Sequence, residues 1–269
     1  MRSYAALMWV VLALTIPSPA VAESREAVTL QMRDGRPVVD GVFVNGHGPY
    51  RFLLDTGSTL NHLDPKIATS IGLAVTFHTK LTTATGTTAA DGVERGDVRL
   101  GPATADRQVF PLAGIEGLHA ISPDIQGVLG QVFLSRFDYR IDLRNRRLEF
   151  GKPEPDEKSG RVAFRTVEGR PVISTSLESL VLDSGAHYMV RFGVCTFQET
   201  HEMITASGAV NVGTLFSTLT IDGRRFWRGE AVVVPGSPES GADGLLPVNA
   251  FKSIYVSNSE GFVVFEQGR

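Results

Sequence analysis

The feature that most constrains this chain is an acid set at the end of an apolar run, present twice. Phe52-Leu53-Leu54-Asp55-Thr56-Gly57-Ser58 is answered 128 residues later by Leu180-Val181-Leu182-Asp183-Ser184-Gly185-Ala186. A carboxylate among apolar residues is costly unless it is paired, hydrogen-bonded or neutralised, so each copy implies a partner. The match extends beyond the acids. Thr83-Ala84-Thr85-Gly86 answers to Thr205-Ala206-Ser207-Gly208 at an offset of 122, and Gly101, ending Val98-Arg99-Leu100-Gly101, stands 122 residues before Gly223 of LTIDG. GVLGQVFLSRFDY from Gly127 answers to GLLPVNAFKSIYV from Gly244 at an offset of 117. Matches in one order with shrinking offsets predict a duplication whose second copy has lost loop residues. Asp183 is then the partner of Asp55. A single Asp-Ser/Thr-Gly triplet reads equally well as a turn, in which Asp caps its own backbone and glycine supplies a positive φ. Two copies inside a longer repeat are not explained by turns alone.

The rest of the chain bounds what such a pair can belong to. Arg2, the apolar run Ala5 to Ile16 and Ala20-Val21-Ala22 predict a signal peptide over 1–22 and an exported chain, periplasmic or secreted. That run is 12 residues long, short of the roughly 20 that span a bilayer, and no later segment approaches it, so no membrane span is expected in the mature chain. The short segment after the cleavage site leaves no room for a long propeptide. Polar, proline-broken GKPEPDEKSG at 151–160 reads as a linker between one lobe at 23–150 and another at 161–269. With 28 glycines and 14 prolines punctuating short alternating segments, an all-β fold with a few short helices is expected. The helical pieces are DPKIATSIG, with Pro65 near its start and Gly72 near its end, and GQVFLSRF at 130–137. A net charge of −3 without a basic stripe argues against a nucleic-acid partner. Cys195 is the only cysteine, which excludes an internal disulfide and suits a small buried residue. The six histidines show no H-E-x-x-H spacing and no G-x-S-x-G is present, so metalloprotease and serine-hydrolase readings drop out and neither metal nor cofactor is expected.

Asp55-Thr56-Gly57-Ser58, Asp183-Ser184-Gly185-Ala186 and Val128-Leu129-Gly130, the last leading into QVFLSRFDYRIDL, resemble the motifs of aspartic proteases of the pepsin and retropepsin clan. In that last stretch the chain is more similar to exported bacterial retropepsin-like proteins than to animal pepsins. The resemblance runs from about residue 28 to 266. It implies a bilobal acid-protease (pepsin-like) fold made of two tandem retropepsin-like lobes. One catalytic loop per lobe would meet its partner at a pseudo-twofold axis over a long cleft that takes extended polypeptide.

Chemistry agrees with the resemblance. Amide hydrolysis without metal or covalent nucleophile needs a base for water and an acid for the carbonyl oxygen. Two adjacent carboxyls sharing one proton supply both. Asp55 and Asp183 are the candidate catalytic pair of an aspartic endopeptidase. Thr56 and Ser184 are expected to hydrogen-bond across the axis, and Gly57 and Gly185 to let the loops approach. The Ser58 hydroxyl is expected to donate to Asp55 and keep it ionised, leaving the shared proton on Asp183. The resemblance places a covering hairpin within 82–92, with Thr85, Gly86 and Thr87 at its tip. Pepsins carry a tyrosine there that this chain lacks, so cover would come from backbone and small side chains; the stretch also reads as an ordinary polar hairpin. Two departures stand out. Pro247 replaces the glycine equivalent to Gly130, so the support under the Asp183 loop must differ. His187 either borders the cleft or packs beneath the second loop as a strand residue. A monomer is expected, since one chain holds both copies. The alternative is a non-catalytic peptide-binding protein that keeps the cleft and not the reaction.

Overall fold

Hairpins closed by tight turns build most of the chain. Asp34-Gly35, Asn45-Gly46 and Glu168-Gly169 each place two successive residues at positive φ, between 46° and 81°. That conformation matches the twist of the strands it joins, which is why Asp-Gly and Asn-Gly recur at such turns. The computed structural model describes residues 27–83, 86–113, 115, 117–151, 160–193, 200–205, 208–221, 223–235 and 241–267. The expected signal peptide, positions 152–159 of the expected linker, Thr85 and Cys195 lie outside the described residues.

The first half runs β1 (Val28–Arg33), β2 (Arg36–Val44), β3 (His47–Leu54), β4 (His62–Leu63), α1 (Pro65–Ser70), β5 (Phe77–Thr83), β6 (Gly86–Leu100), β7 (Ala103–Pro111), α2 (Leu118–Ile121), β8 (Gly127–Leu129), α3 (Gln131–Leu134), β9 (Tyr139–Asp142) and β10 (Arg147–Phe150). The second half repeats the strand order as β11 (Arg161–Val167), β12 (Arg170–Ser174), β13 (Ser179–Asp183), β14 (Met189–Gly193), β15 (His201–Thr205), β16 (Gly208–Ile221), β17 (Arg224–Pro235), β18 (Gly244–Pro247), a 3₁₀ turn at Val248–Ala250, β19 (Phe251–Ser257) and β20 (Phe262–Gln267). Ten strands answer ten, and α1 and α2 have no counterpart among the described residues. Both expected helices form but are short. Asp64 caps α1 by accepting from the Lys66 N–H at 2.7 Å, with Pro65 in the first turn, where its missing N–H costs nothing.

The pairings repeat as well. β3 lies parallel to β8 through Leu54↔Leu129, and β13 lies parallel to β18 through Leu182↔Leu246. Each of these parallel pairs delivers one acid. β8 also pairs antiparallel with β4, as β18 does with β14. A further sheet crosses the molecule in the order β1-β10-β9-β19-β20-β11. In its central pair Tyr139 faces Val256, and these are equivalent positions of the two copies at the 117-residue offset. The approximate twofold therefore passes through that pair. The halves differ where β2 pairs with β6 in the first and β14 lies parallel to β17 in the second.

One continuous apolar core runs through both halves and includes Phe52, Leu54, Leu129, Ile141, Leu182, Leu246 and Ile254, all essentially inaccessible to solvent. Among the described residues no helix is long and apolar enough to cross a membrane. Ile141 and Ile254 oppose each other across the β9–β19 boundary. Ile254→Ala should cost about 2–5 kcal/mol by leaving a cavity on the shared sheet. Denaturant unfolding should shift to a lower midpoint as one transition, and two separated transitions would show that the sheet does not couple the halves.

Candidate active site

β3 ends at Leu54 and β13 ends at Asp183, so both acids leave a buried strand and enter a tight loop. The Asp55 N–H donates to Leu129 O at 2.9 Å, which anchors the first loop to β8. Each loop then folds back on its own carboxylate. The Gly57 and Ser58 N–H groups donate to Asp55 Oδ1 at 2.9 and 3.1 Å, and the Ala186 N–H donates to Asp183 Oδ1 at 2.9 Å.

The two loops are tied by reciprocal hydrogen bonds. Thr56 Oγ1 donates to Leu182 O at 2.7 Å and accepts from the Ser184 N–H at 2.9 Å. Ser184 Oγ donates to Leu54 O at 2.6 Å and accepts from the Thr56 N–H at 2.9 Å. Both side chains are completely buried, so all four bonds are shielded from water. The expected contact between Thr56 and Ser184 is present and runs through both backbones.

The glycines set the spacing of the acids. A Cβ on Gly57 would lie 2.3 Å from Asp183 Cγ, and one on Gly185 would lie 2.5 Å from Asp55 Oδ2. Each glycine is thus pressed against the opposite carboxyl. The carboxyls face each other across these glycines closely enough to act on one another, and such a pair shares one proton more readily than it ionises twice. Burial pushes Asp55 well above the usual carboxylate range, and the Asp183 charge adds to the effect against the Gly57 and Ser58 N–H groups. Burial also raises Asp183, but the Ala186 N–H, the hydrogen bond from Asp55, the Gly185 N–H and the Arg36 charge hold it down. Both acids are thus held above the ordinary carboxylate range, and the Arg36 charge acts on Asp183.

The Ser58 hydroxyl does not make the expected bond to Asp55, and the reason is local. The Ser58 hydroxyl donates to Leu60 O at 2.8 Å, and Ser58 reaches Asp55 through its backbone N–H. Ala186 offers the same N–H in the second loop, so the serine and alanine side chains do not distinguish the acids. Arg36 is the charged group that acts on one of them. Its signal in the sequence is a further repeat, Gly35-Arg36-Pro37-Val38-Val39 against Gly169-Arg170-Pro171-Val172-Ile173, at an offset of 134 that begins the shrinking series.

The supports beneath the loops differ as a unit. In the first half the Gly130 N–H donates to Asn61 Oδ1 at 2.9 Å, Asn61 donates to Gln108 Oε1 at 2.9 Å, and Gln131 Nε2 donates to Thr56 O at 2.7 Å. A Cβ on Gly130 would meet Leu60 O at 2.2 Å. In the second half Pro247 pairs with Asp183 in the register that continues Leu182↔Leu246, so it occupies the equivalent of the Gly130 position. Proline has no N–H to satisfy. The positions equivalent to Asn61 and Gln131 are Met189 and Val248, both fully buried. A polar cradle has become an apolar one without moving the acid out of register.

His187 is not a strand residue. It lies in the bend before β14, with Nδ1 2.6 Å from the Asp34 carbonyl oxygen of the β1–β2 turn and its ring 4.4 Å from that of Tyr188. The expected covering hairpin is formed by β5 and β6, closing through Thr82↔Thr87 and Thr83↔Gly86. Thr87 is exposed near its end. Of the second-half counterpart, Thr205 and Gly208 form the last pair of β15 and β16.

Thr56→Val removes a donor and an acceptor from the buried tie and leaves Leu182 O and the Ser184 N–H unpaired. It should destabilise the protein by roughly 2–4 kcal/mol, whereas Thr56→Ser, which keeps the hydroxyl, should stay close to wild type. Chemical denaturation of the two variants checks this.

Comparison with known proteins agrees with the geometry. Residues 41–133 match the aspartyl protease family model, a span that contains the first acid loop and the Gly130 support. No curated protein matches the chain. Among solved structures, basic 7S globulin from soybean shares 11% identity and a TM-score of 0.54, covering 90% of this chain and 95% of that one. A retropepsin-like aspartic protease from Rickettsia conorii shares 23% identity over 47% of this chain and 90% of that one, with a TM-score of 0.36. Residues 41–133 are thus similar to the aspartyl protease family, and the likeness to basic 7S globulin extends the shared fold over most of the chain.

Proposed function

We propose that the protein is an aspartic endopeptidase that hydrolyses peptide bonds through a water activated by the Asp55/Asp183 pair. The observation that carries the reading is the approach of two buried carboxyls, each packed against the other loop's glycine. In this reading the ionised member takes a proton from water while the protonated member donates to the scissile carbonyl oxygen, and the two exchange roles as the intermediate collapses. Extended polypeptide would lie across the cleft as a strand, covered by the β5–β6 hairpin with Gly86 and Thr87 toward its end. The reading includes one chain as the working unit and export, the latter supported by Arg2, the apolar run and Ala20-Val21-Ala22. The peptide-binding alternative drew on Pro247, and the register kept at Asp183 gives it no support.

Asp55→Asn and Asp183→Asn should each lower kcat on a peptide substrate by at least about 10³-fold, while a statine-type peptide should inhibit the wild type. Cleavage that survives either substitution would overturn the dyad. A stability readout follows from the same burial. Both acids have folded-state pKa values above their ordinary ones, so the native state binds protons more tightly than the unfolded chain and loses that contribution as pH rises through the folded values. Asp55→Asn, which abolishes this ionisation, should therefore raise Tm relative to wild type more at about pH 7 than at about pH 3.

A further inference from the structure

Arg36 opens β2 directly after the Asp34-Gly35 turn and reaches the opposite half. Its side chain is only 9% exposed, its Nε donates to Gly185 O at 2.7 Å, and its Nη1 donates to Asp34 O at 3.1 Å while pairing with the Asp34 carboxylate. Gly185 is the residue whose missing Cβ makes room for Asp55. The guanidinium therefore grips the Asp183 loop where that loop meets the other acid. The turn that carries it is itself held from the second half. His187 Nδ1 must carry the hydrogen it shares with the Asp34 carbonyl, which can only accept, and Asn249 Nδ2 donates to Gly35 O at 3.3 Å and His187 O at 2.9 Å.

The equivalent arginine is engaged differently. Arg170 follows Glu168-Gly169, where its Nη2 donates to Glu168 at 2.7 Å and its Nε to Val167 O at 3.4 Å, within its own turn. Gly169 approaches the first loop's support only through Gln131 Cβ, 3.5 Å from where its own Cβ would be. A buried guanidinium thus sits on the backbone of one acid loop, and its repeat mate is turned to its neighbours.

We propose that Arg36 is a positioning residue for the acid pair: it fixes the Asp183 loop at Gly185 from the opposite half and sets a positive charge beside the pair that favours loss of its first proton. A cation beside one member of a proton-sharing pair stabilises the charged form of that member. The Arg36 charge acts on Asp183 in that direction. Of the charged groups nearby, Arg36 acts on Asp183, Asp34 and His187 adjoin Arg36 at the β1–β2 turn, and Glu168 and Arg170 pair with each other in the β11–β12 turn. The supports at α3 and the 3₁₀ turn contribute the uncharged Gln131 and Asn249. Asp34 offsets part of the Arg36 charge, and His187 Nδ1 lies 3.7 Å from Asp34 Oδ1.

The inference rests on the peptidase reading above, and its test is built to fail separately. The acid limb of kcat/KM against pH reports loss of the first proton from the pair. Arg36→Gln should move that limb upward by roughly half a unit to one unit. Arg36→Lys should restore most of the wild-type position, Asp34→Asn should move the limb downward by freeing the Arg36 charge, and Arg170→Gln should leave it in place. An Arg36→Gln limb coincident with wild type, whatever the loss of rate, would reduce Arg36 to a strut and overturn the inference. If Arg36→Gln does not fold, Asp34→Asn decides, and an unmoved limb overturns the inference. Carbon-NMR titration of the Asp carboxyls in the same variants reads the shift without turnover. Absent cleavage would therefore count against the peptidase reading, while unmoved carboxyl titrations would count against Arg36.

Discussion

The hydrogen bonds that join Thr56 and Ser184 to each other's loops are the constraint on which the site depends. Two carboxyls in a shared buried position repel whenever both ionise, and the surrounding chain must oppose that repulsion. Here four buried bonds, two from each half, link backbone positions about 128 residues apart. Each hydroxyl donates to one strand end and accepts from one loop, so neither loop can withdraw without leaving a buried group unpaired. The glycines complete the arrangement by removing the atoms that would keep the carboxyls apart.

The rest of the fold keeps these ends in place. The parallel pairs β3–β8 and β13–β18 carry the acids to the same depth, and the sheet spanning β1 to β11 through β9 and β19 joins the halves at equivalent positions. A continuous core beneath both acids resists independent movement of the halves, since tightly packed interiors transmit strain. Symmetry in the scaffold coexists with asymmetry in the site. Gly130, Asn61 and Gln131 support one loop with polar contacts, whereas Pro247, Met189 and Val248 support the other with apolar ones. The exchange is self-consistent because proline removes the donor that an asparagine would have satisfied. Arg36 adds a charge from the first half against the Asp183 loop.

Much of this was legible in the amino-acid order. The duplicated apolar-acid-hydroxyl-glycine segment identifies Asp55 and Asp183 as partners, because a buried acid needs one and repeats put equivalent residues at equivalent places. Turn chemistry at Asp34-Gly35 and Asn45-Gly46, the Asp64 cap and the Pro65 start are local effects, and local effects are written in neighbouring residues. Tertiary structure alone decided where hydroxyls and charges point. Ser58 could satisfy either an acid or a nearby carbonyl, and the loop path gives it Leu60 O. His187 meets a turn 153 residues away, and Arg36 meets a carbonyl 149 residues away, distances over which no periodicity carries information. Sequence thus determined the pair and the doubled scaffold through burial and repetition. Which charge lies beside the pair was decided by a contact between halves, because electrostatics depends on separations that only the folded chain brings about.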